Sequence, residues 1–134
     1  MGRRLAREWV FKILFAIDVG ENTPQDAIEM VITRPVSEEQ KNFVYNHVSG
    51  IIKNIDTIDE IITKYSLDWN LERLPGTDKN ILRIAIFEMI FCDEIPVSVS
   101  INEAVEIAKK YSDDDSYKFI NGVLGSIAKE TPSN

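Results

Sequence analysis

Two segments of this chain are apolar on almost every face when wound as a helix. In the first, Leu5, Trp9, Ile13 and Ile17 recur at helical spacing, and Val10, Phe11, Leu14 and Phe15 fill the gaps between them. In the second, Ile81, Leu82, Ile84, Ala85, Phe87, Met89, Ile90 and Phe91 do the same. A helix of that kind cannot rest one face on a core and turn the other to water, so both are expected at the centre of a helical pack. No stretch alternates apolar and polar residues with the period of a strand. The expected class is all-α, with six or seven helices packed as two small helical bundles.

The punctuation is equally helical. The first helix is predicted from Arg3 to about Val19, with Gly20 as its stop. Thr23, Pro24 and Asp26 open a short helix to about Ile32, and the Arg34–Pro35 pair closes it. Ser37 and Gln40 form a capping box for a third helix carrying Phe43, Val44, Val48 and Ile51. Its pattern continues to Tyr65, with a break expected near Asn54–Thr57. The segment 66–75 is the weakest in helical signal. It is the expected boundary between an N-terminal subdomain of about 1–68 and a C-terminal subdomain of about 74–130. Thr77 can cap the next helix, Asp93–Val99 reads as an extended link, and Ser100 with Glu103 reads as a second capping box. The run Ser112–Ser116 breaks the pattern ahead of a last helix with Phe119, Ile120, Val123, Leu124 and Ile127. The final four residues should fray.

Chemistry of the catalytic kind is nearly missing. His47 is the one histidine, with no nucleophile or ligand at useful spacing, and is expected at the surface or in an interface. Cys92 has no CxxC partner and reads as a buried, inert thiol in a reducing compartment. The aspartates of Ser112–Ser116 lack the glycine and terminal glutamate of a calcium loop. No glycine-rich phosphate loop occurs. The expectation is a protein that is no enzyme and holds no metal or cofactor. The N-terminal apolar run is interrupted by Lys12 and lacks a small-residue cleavage site, so it is not an export signal. No run approaches the ~20 apolar residues of a membrane span. A soluble, cytoplasmic protein with no membrane partner is expected.

What remains is a binding surface. The net charge is −7, so the body repels nucleic acid at long range and any contact must come from a local basic patch or a basic partner. Arg3, Arg4 and Arg7 crowd the start of the first helix, with Arg3 and Arg7 on one face. Cations there oppose the helix dipole, which suits a bound anion, although an ordinary solvated terminus reads the same way. Arg83, inside an apolar helix, and Lys118, just before Phe119, can extend the patch. Phe15 and Phe119 are either core residues or stacking platforms for unpaired bases.

The segments RRLAREWVFKILF, ILRIAIFEMIF and IPVSVSINEAVEIAKKYSDDDSYKFINGVLGSIAKE together resemble the NusB family of bacterial transcription antitermination factors, over almost the whole chain. The resemblance implies a non-enzymatic factor that pairs with the small-subunit ribosomal protein NusE. With NusE it would bind boxA RNA and join RNA polymerase elongation complexes with other Nus factors, promoting read-through of ribosomal RNA operons. Carried over by position, RNA contact falls to Arg3, Arg4, Arg7, Phe15, Arg83, Asp115, Lys118 and Phe119, and NusE contact to Asp78. Leu5 stands where some relatives carry another arginine, and Gly125 where an aspartate is usual. The family includes monomers and homodimers, and a dimer would cover the arginine patch until RNA or NusE competes for it. NusB-like domains also occur fused to RNA methyltransferases. This chain has no cofactor-binding stretch and is expected to be the stand-alone form. The alternative reading is a helical protein-interaction adaptor without direct RNA contact.

Overall fold

The strongest local signals set most helix boundaries. A computed structural model describes residues 2–66 and 70–130. Its helices are α1 (Gly2–Asp18), α2 (Pro24–Val31), α3 (Glu38–Lys53), α4 (Ile55–Tyr65), α5 (Gly76–Phe91), α6 (Val97–Tyr111) and α7 (Asp114–Glu130), with a 3-10 turn at Leu71–Arg73. Among the described residues there is no strand. Thr23 Oγ1 accepts from the Asp26 N–H at 3.1 Å, and Pro24 takes the first helical position. Ser37 and Gln40 cap each other reciprocally: Ser37 Oγ accepts from the Gln40 N–H at 3.1 Å, and Gln40 Oε1 accepts from the Ser37 N–H at 3.3 Å. Asn54 makes the break between α3 and α4. Its side-chain amide donates back to the Gly50 carbonyl, which ends α3, while its own carbonyl accepts from Ile58.

Four expectations need correction. The left-handed residue after α1 is Glu21 (φ 56°), not Gly20. Thr77 lies inside α5, which Pro75 and Gly76 open. Val97 and Val99 are helical, because α6 starts directly after Pro96, whose ring presets the backbone angle for the turn that follows. Ser100 therefore sits a full turn inside α6, where it is buried and caps nothing. At the last helix, Asp113 Oδ1 accepts from the Ser116 N–H at 2.9 Å, so the acidic run starts α7 as its composition suggests.

α5 is the surrounded helix. It packs against α1, α3, α4, α6 and α7, and every residue from Asn80 to Met89 is buried. α1 packs against α2, α3 and α5 but keeps one stripe open. That stripe is Arg4, Glu8, Lys12, Phe15 and Val19, spaced along one face and all exposed or half-buried. The buried side chains form one continuous core. Within it, α1–α3 make one group and α4, which lies mainly on α5 and α7, belongs with the other. Residues 67–69 and the expected frayed tail lie outside the described residues.

Gly50 shows how tightly α3 meets α5. A Cβ there would stand 2.5 Å from Cε1 and Cζ of Phe87, whose ring is held between His47 and Phe91. Gly50→Ala should gain up to about 1 kcal/mol in helix propensity but lose about 1–3 kcal/mol to overpacking. The expected result is a net loss, read as a lower urea midpoint at unchanged m-value.

Candidate nucleic-acid interface

A single buried carboxylate organises the arginine end of α1. Glu88 is 1% exposed and lies at the centre of a hydrogen-bonded cluster. Arg7 donates through Nε (2.9 Å) and Nη2 (3.2 Å), Ser100 Oγ donates at 2.8 Å, and His47 Nε2 lies at 2.7 Å. The cluster ties α1, α3, α5 and α6 together at one point. Burial pushes the Glu88 carboxyl up, but the hydrogen bonds from His47 and Arg7, with their charges, outweigh it and hold the group below the ordinary glutamate range. His47 is stacked on Phe43 at 3.9 Å between ring centroids, and its Nδ1 lies 3.1 Å from the Phe43 carbonyl.

Two expectations change here. Arg7 is 4% exposed, with its fork spent on Glu88, so it has no face to offer a phosphate. It shares a stripe with Val10 and Leu14, both buried, and that stripe points inward. His47 is likewise an interior residue, not a surface one. It gives the buried carboxylate of Glu88 a third partner beside Arg7 and Ser100.

Arg3 and Arg4 remain outside. Arg4 is largely exposed and bonded to Glu103 through Nε (3.0 Å) and Nη2 (2.7 Å). Glu103, which by spacing reads as half of a capping box, instead reaches back to α1 and is held below the usual carboxylate range chiefly by that hydrogen bond. The Arg3 guanidinium lies 5.6 Å from the centre of the Phe43 ring. The start of α1 is therefore no loose terminus. Two arginines are presented at a rim that Arg7 fixes from below.

Arg83 is not part of that rim. It is 8% exposed and bonds Asp59 with both prongs at 2.9 Å, and Asn80 Oδ1 at 3.0 Å. Its work is to join α5 to α4, and its burial leaves no face for RNA. Asp78, the expected partner contact, is 4% exposed beneath α7, accepting from Ser116 Oγ (3.2 Å) and Thr77 Oγ1 (3.4 Å). Burial keeps its carboxyl above the usual aspartate range despite those bonds. It holds the start of α7 against the start of α5. The groups exposed above it are Asp113, Asp114 and Asp115, with Lys118 one turn on. Phe119 is half-buried against the core. Phe15 is half-buried beside Phe11 and the α5 start, where Gly76 leaves room that a Cβ would take from Val19 and Phe15.

The sequence-predicted residues thus form two groups. Arg3 and Arg4 stand at one end of α1. Phe15 stands at the other, where Asp78 and Ser116 bring the starts of α5 and α7 together. Cys92 is half-buried and its thiol is pushed up to about 11, so it stays protonated and inert. Among the described residues, no cluster of histidine, cysteine or carboxylate side chains could hold a metal ion, and no helix is long and apolar enough to cross a membrane. Sequence reasoning misses Glu88, Ser100 and the aromatic neighbours of Phe15. One signal is available: Glu88 is an acid inside an apolar run, and such a group needs a buried cation.

Residues 4–129 match the model of the NusB family. The chain is 47% identical to the transcription antitermination protein NusB of Thermodesulfovibrio yellowstonii, over 97% of this chain and 93% of that protein. It superposes on a structure of T. maritima NusB with a TM-score of 0.89 at 38% identity, covering 96% of this chain and 91% of that one. It also matches the structure of antitermination factors NusB and NusE in complex with dsRNA, with a TM-score of 0.89 at 27% identity, over 97% and 98% of the two chains.

Proposed function

The chain belongs to the NusB family, and from that premise we propose that it binds boxA-type RNA jointly with NusE and promotes read-through of ribosomal RNA operons. Its relatives are antitermination factors rather than enzymes, and it is a transcription antitermination factor of the same kind. In this reading it acts in the cytoplasm, within an RNA polymerase elongation complex that carries other Nus factors.

The observation that carries the RNA contact is the pair of exposed arginines, Arg3 and Arg4, held at a rim by the buried Arg7–Glu88 cluster. A rim fixed in this way presents charge to a phosphate without first having to order a terminus. The body behind it is acidic, with a net charge of −7, so two arginines alone should hold RNA weakly. A basic ribosomal protein supplies what is missing, and the exposed Asp113–Asp115 face gives it a complementary field. A homodimer is a further state in which this rim would be covered.

The test is RNA binding by the chain with and without NusE at two salt concentrations. NusE should strengthen binding by well over tenfold. Arg3→Ala with Arg4→Ala should weaken the joint complex and reduce the salt slope by about one for each phosphate the two side chains neutralise. An unchanged affinity and slope in that variant would favour a protein-only adaptor.

A further inference from the structure

We propose that the cleft beside Arg3, between the first half of α3 and the turn that follows α5, receives one unpaired guanine of RNA, with the carboxylates of Glu39 and Glu94 accepting from its Watson–Crick edge. The inference rests on the RNA-binding reading above and adds to it a base that the protein tells from the other three.

The cleft is a cavity of about 240 Å³ whose floor is made by Phe43, Phe87 and Ile95, all buried. Glu39, Asn42 and Asn46 line it from α3, where their spacing sets them on one face. Glu94 lines it from the turn after α5, which the Ile95 N–H closes on the Cys92 carbonyl at 3.0 Å. These four polar side chains are exposed, and none of them bonds another described residue. Arg3 lines the cleft too, and it also lines the neighbouring cavity with Arg4 and Arg7. A strand held at the rim by a phosphate therefore has a base within reach of the cleft. The Arg3 guanidinium lies 5.6 Å from the centre of the Phe43 ring and covers it, so the flat surface offered to a base is the guanidinium plane itself. The volume falls below the roughly 300–1,000 Å³ of a pocket that encloses a whole small molecule, which suits one base of a longer strand.

The acids decide which base enters. Two carboxylates in one cleft repel a phosphate, so the group that fits between them is a hydrogen-bond donor. A carboxylate offers two oxygens side by side, both acceptors. Guanine alone among the four bases meets them with two adjacent donors, N1–H and the 2-amino group. Adenine and cytosine each set an acceptor nitrogen beside their amino group, and uracil flanks its one donor with two carbonyls. Each of those turns a lone pair toward the carboxylate. The Asn42 and Asn46 amides then supply N–H donors for guanine O6. A partner's arginine has donors of a similar kind, but it carries no acceptor for those amides.

The test uses the complete chain with NusE and single-stranded boxA RNA, with each guanine replaced in turn by inosine, which lacks only the 2-amino group. At one position the replacement should weaken binding to the unaltered protein by about tenfold, the scale of one hydrogen bond to a charged group. Adenine at that position should cost more, because its N1 faces the carboxylate with a lone pair. In the double variant Glu39→Ala with Glu94→Ala, inosine should bind as well as guanine there. The comparison is between two RNAs on one protein, so the charge that the variant removes cancels. Both substitutions are at exposed positions, and the helicity of the variant should match that of the unaltered chain. In duplex RNA the guanine edge is already paired, so inosine should cost variant and unaltered chain the same. A tenfold inosine response that survives in the double variant would overturn the proposal, as would no response at any guanine of an RNA that still binds. Loss of NusE association by the variant, with the inosine response of the formed complex intact, would also overturn it and make the cleft a protein site. A complex that binds neither RNA overturns the broader RNA-binding reading as well.

Discussion

Glu88→Ala should be among the most damaging single changes in this protein, lowering stability by about 3–5 kcal/mol. The carboxylate it removes is the shared acceptor for Arg7, His47 and Ser100, all of them buried. Without it a guanidinium is left in the interior with no counter-charge, and the four helices lose their common tie. That loss is a large part of a typical domain's total stability of roughly 5–15 kcal/mol. A urea titration reads it as a lower midpoint at an unchanged m-value. Replacing the whole cluster with apolar residues of similar volume should recover much of the loss, because removing one partner is worse than removing the set. If Glu88→Ala costs under about 1 kcal/mol, far below the range for a broken buried pair, the cluster is not the tie its geometry suggests.

The same carboxylate gives the stability a pH dependence. Its folded-state pKa lies below the ordinary value of 4.5 expected in the unfolded chain. The unfolded state therefore binds the proton first, and the stabilisation is complete above that value. It is lost as the pH falls through 4.5 toward the lower folded value. Glu8 and Glu103 are shifted in the same direction and act in the same window. Glu88→Gln isolates the buried share: its stability should fall less steeply than that of the unaltered chain below pH 4.5. Parallel curves would assign the whole acid effect to the surface pairs.

How much of this is legible in the sequence depends on the range of the physical signal. The short-range signals hold. Thr23–Pro24, the Ser37–Gln40 box and the break at Asn54 are settled within a few residues, and the structure shows each of them. The start of α6 misleads because Val97 and Val99 favour extended backbone and Ser100 with Glu103 matches a cap by spacing alone. Both side chains are committed elsewhere, Ser100 to Glu88 and Glu103 to Arg4, and both partners lie on other helices, 12 and 99 positions away in sequence. The arginines at the start of α1 divide between rim and interior for a related reason. Composition shows that Arg3, Arg4 and Arg7 are close, whereas their directions depend on how α1 is rotated. The inward stripe through Val10 and Leu14 is visible in the sequence, and extending it one turn back reaches Arg7. The long-range pairs cannot be read at all, since nothing local in the sequence joins Arg7 to Glu88 or Arg83 to Asp59.

Arg83→Ala is expected to separate stability from RNA contact most cleanly. The side chain is 10% exposed and its two prongs and third nitrogen are spent on Asp59 and Asn80, with Asp18 at 3.8 Å. Removing it strands the Asp59 carboxylate against an apolar helix and unties α4 from α5. Asp59 keeps 19% of its side chain in water, so solvent recovers part of the loss, and the expected cost is about 3 kcal/mol, at the low end for a broken buried pair. Arg83→Lys should restore little of it, because an ammonium cannot reproduce two parallel bonds to one carboxylate and a third to Asn80. RNA affinity per folded molecule, measured well below the variant's midpoint temperature, should be unchanged, with the same salt slope as the unaltered chain. A slope reduced by about one at full folding would mean that Arg83 reaches a phosphate after all, and that α4 moves aside when RNA binds.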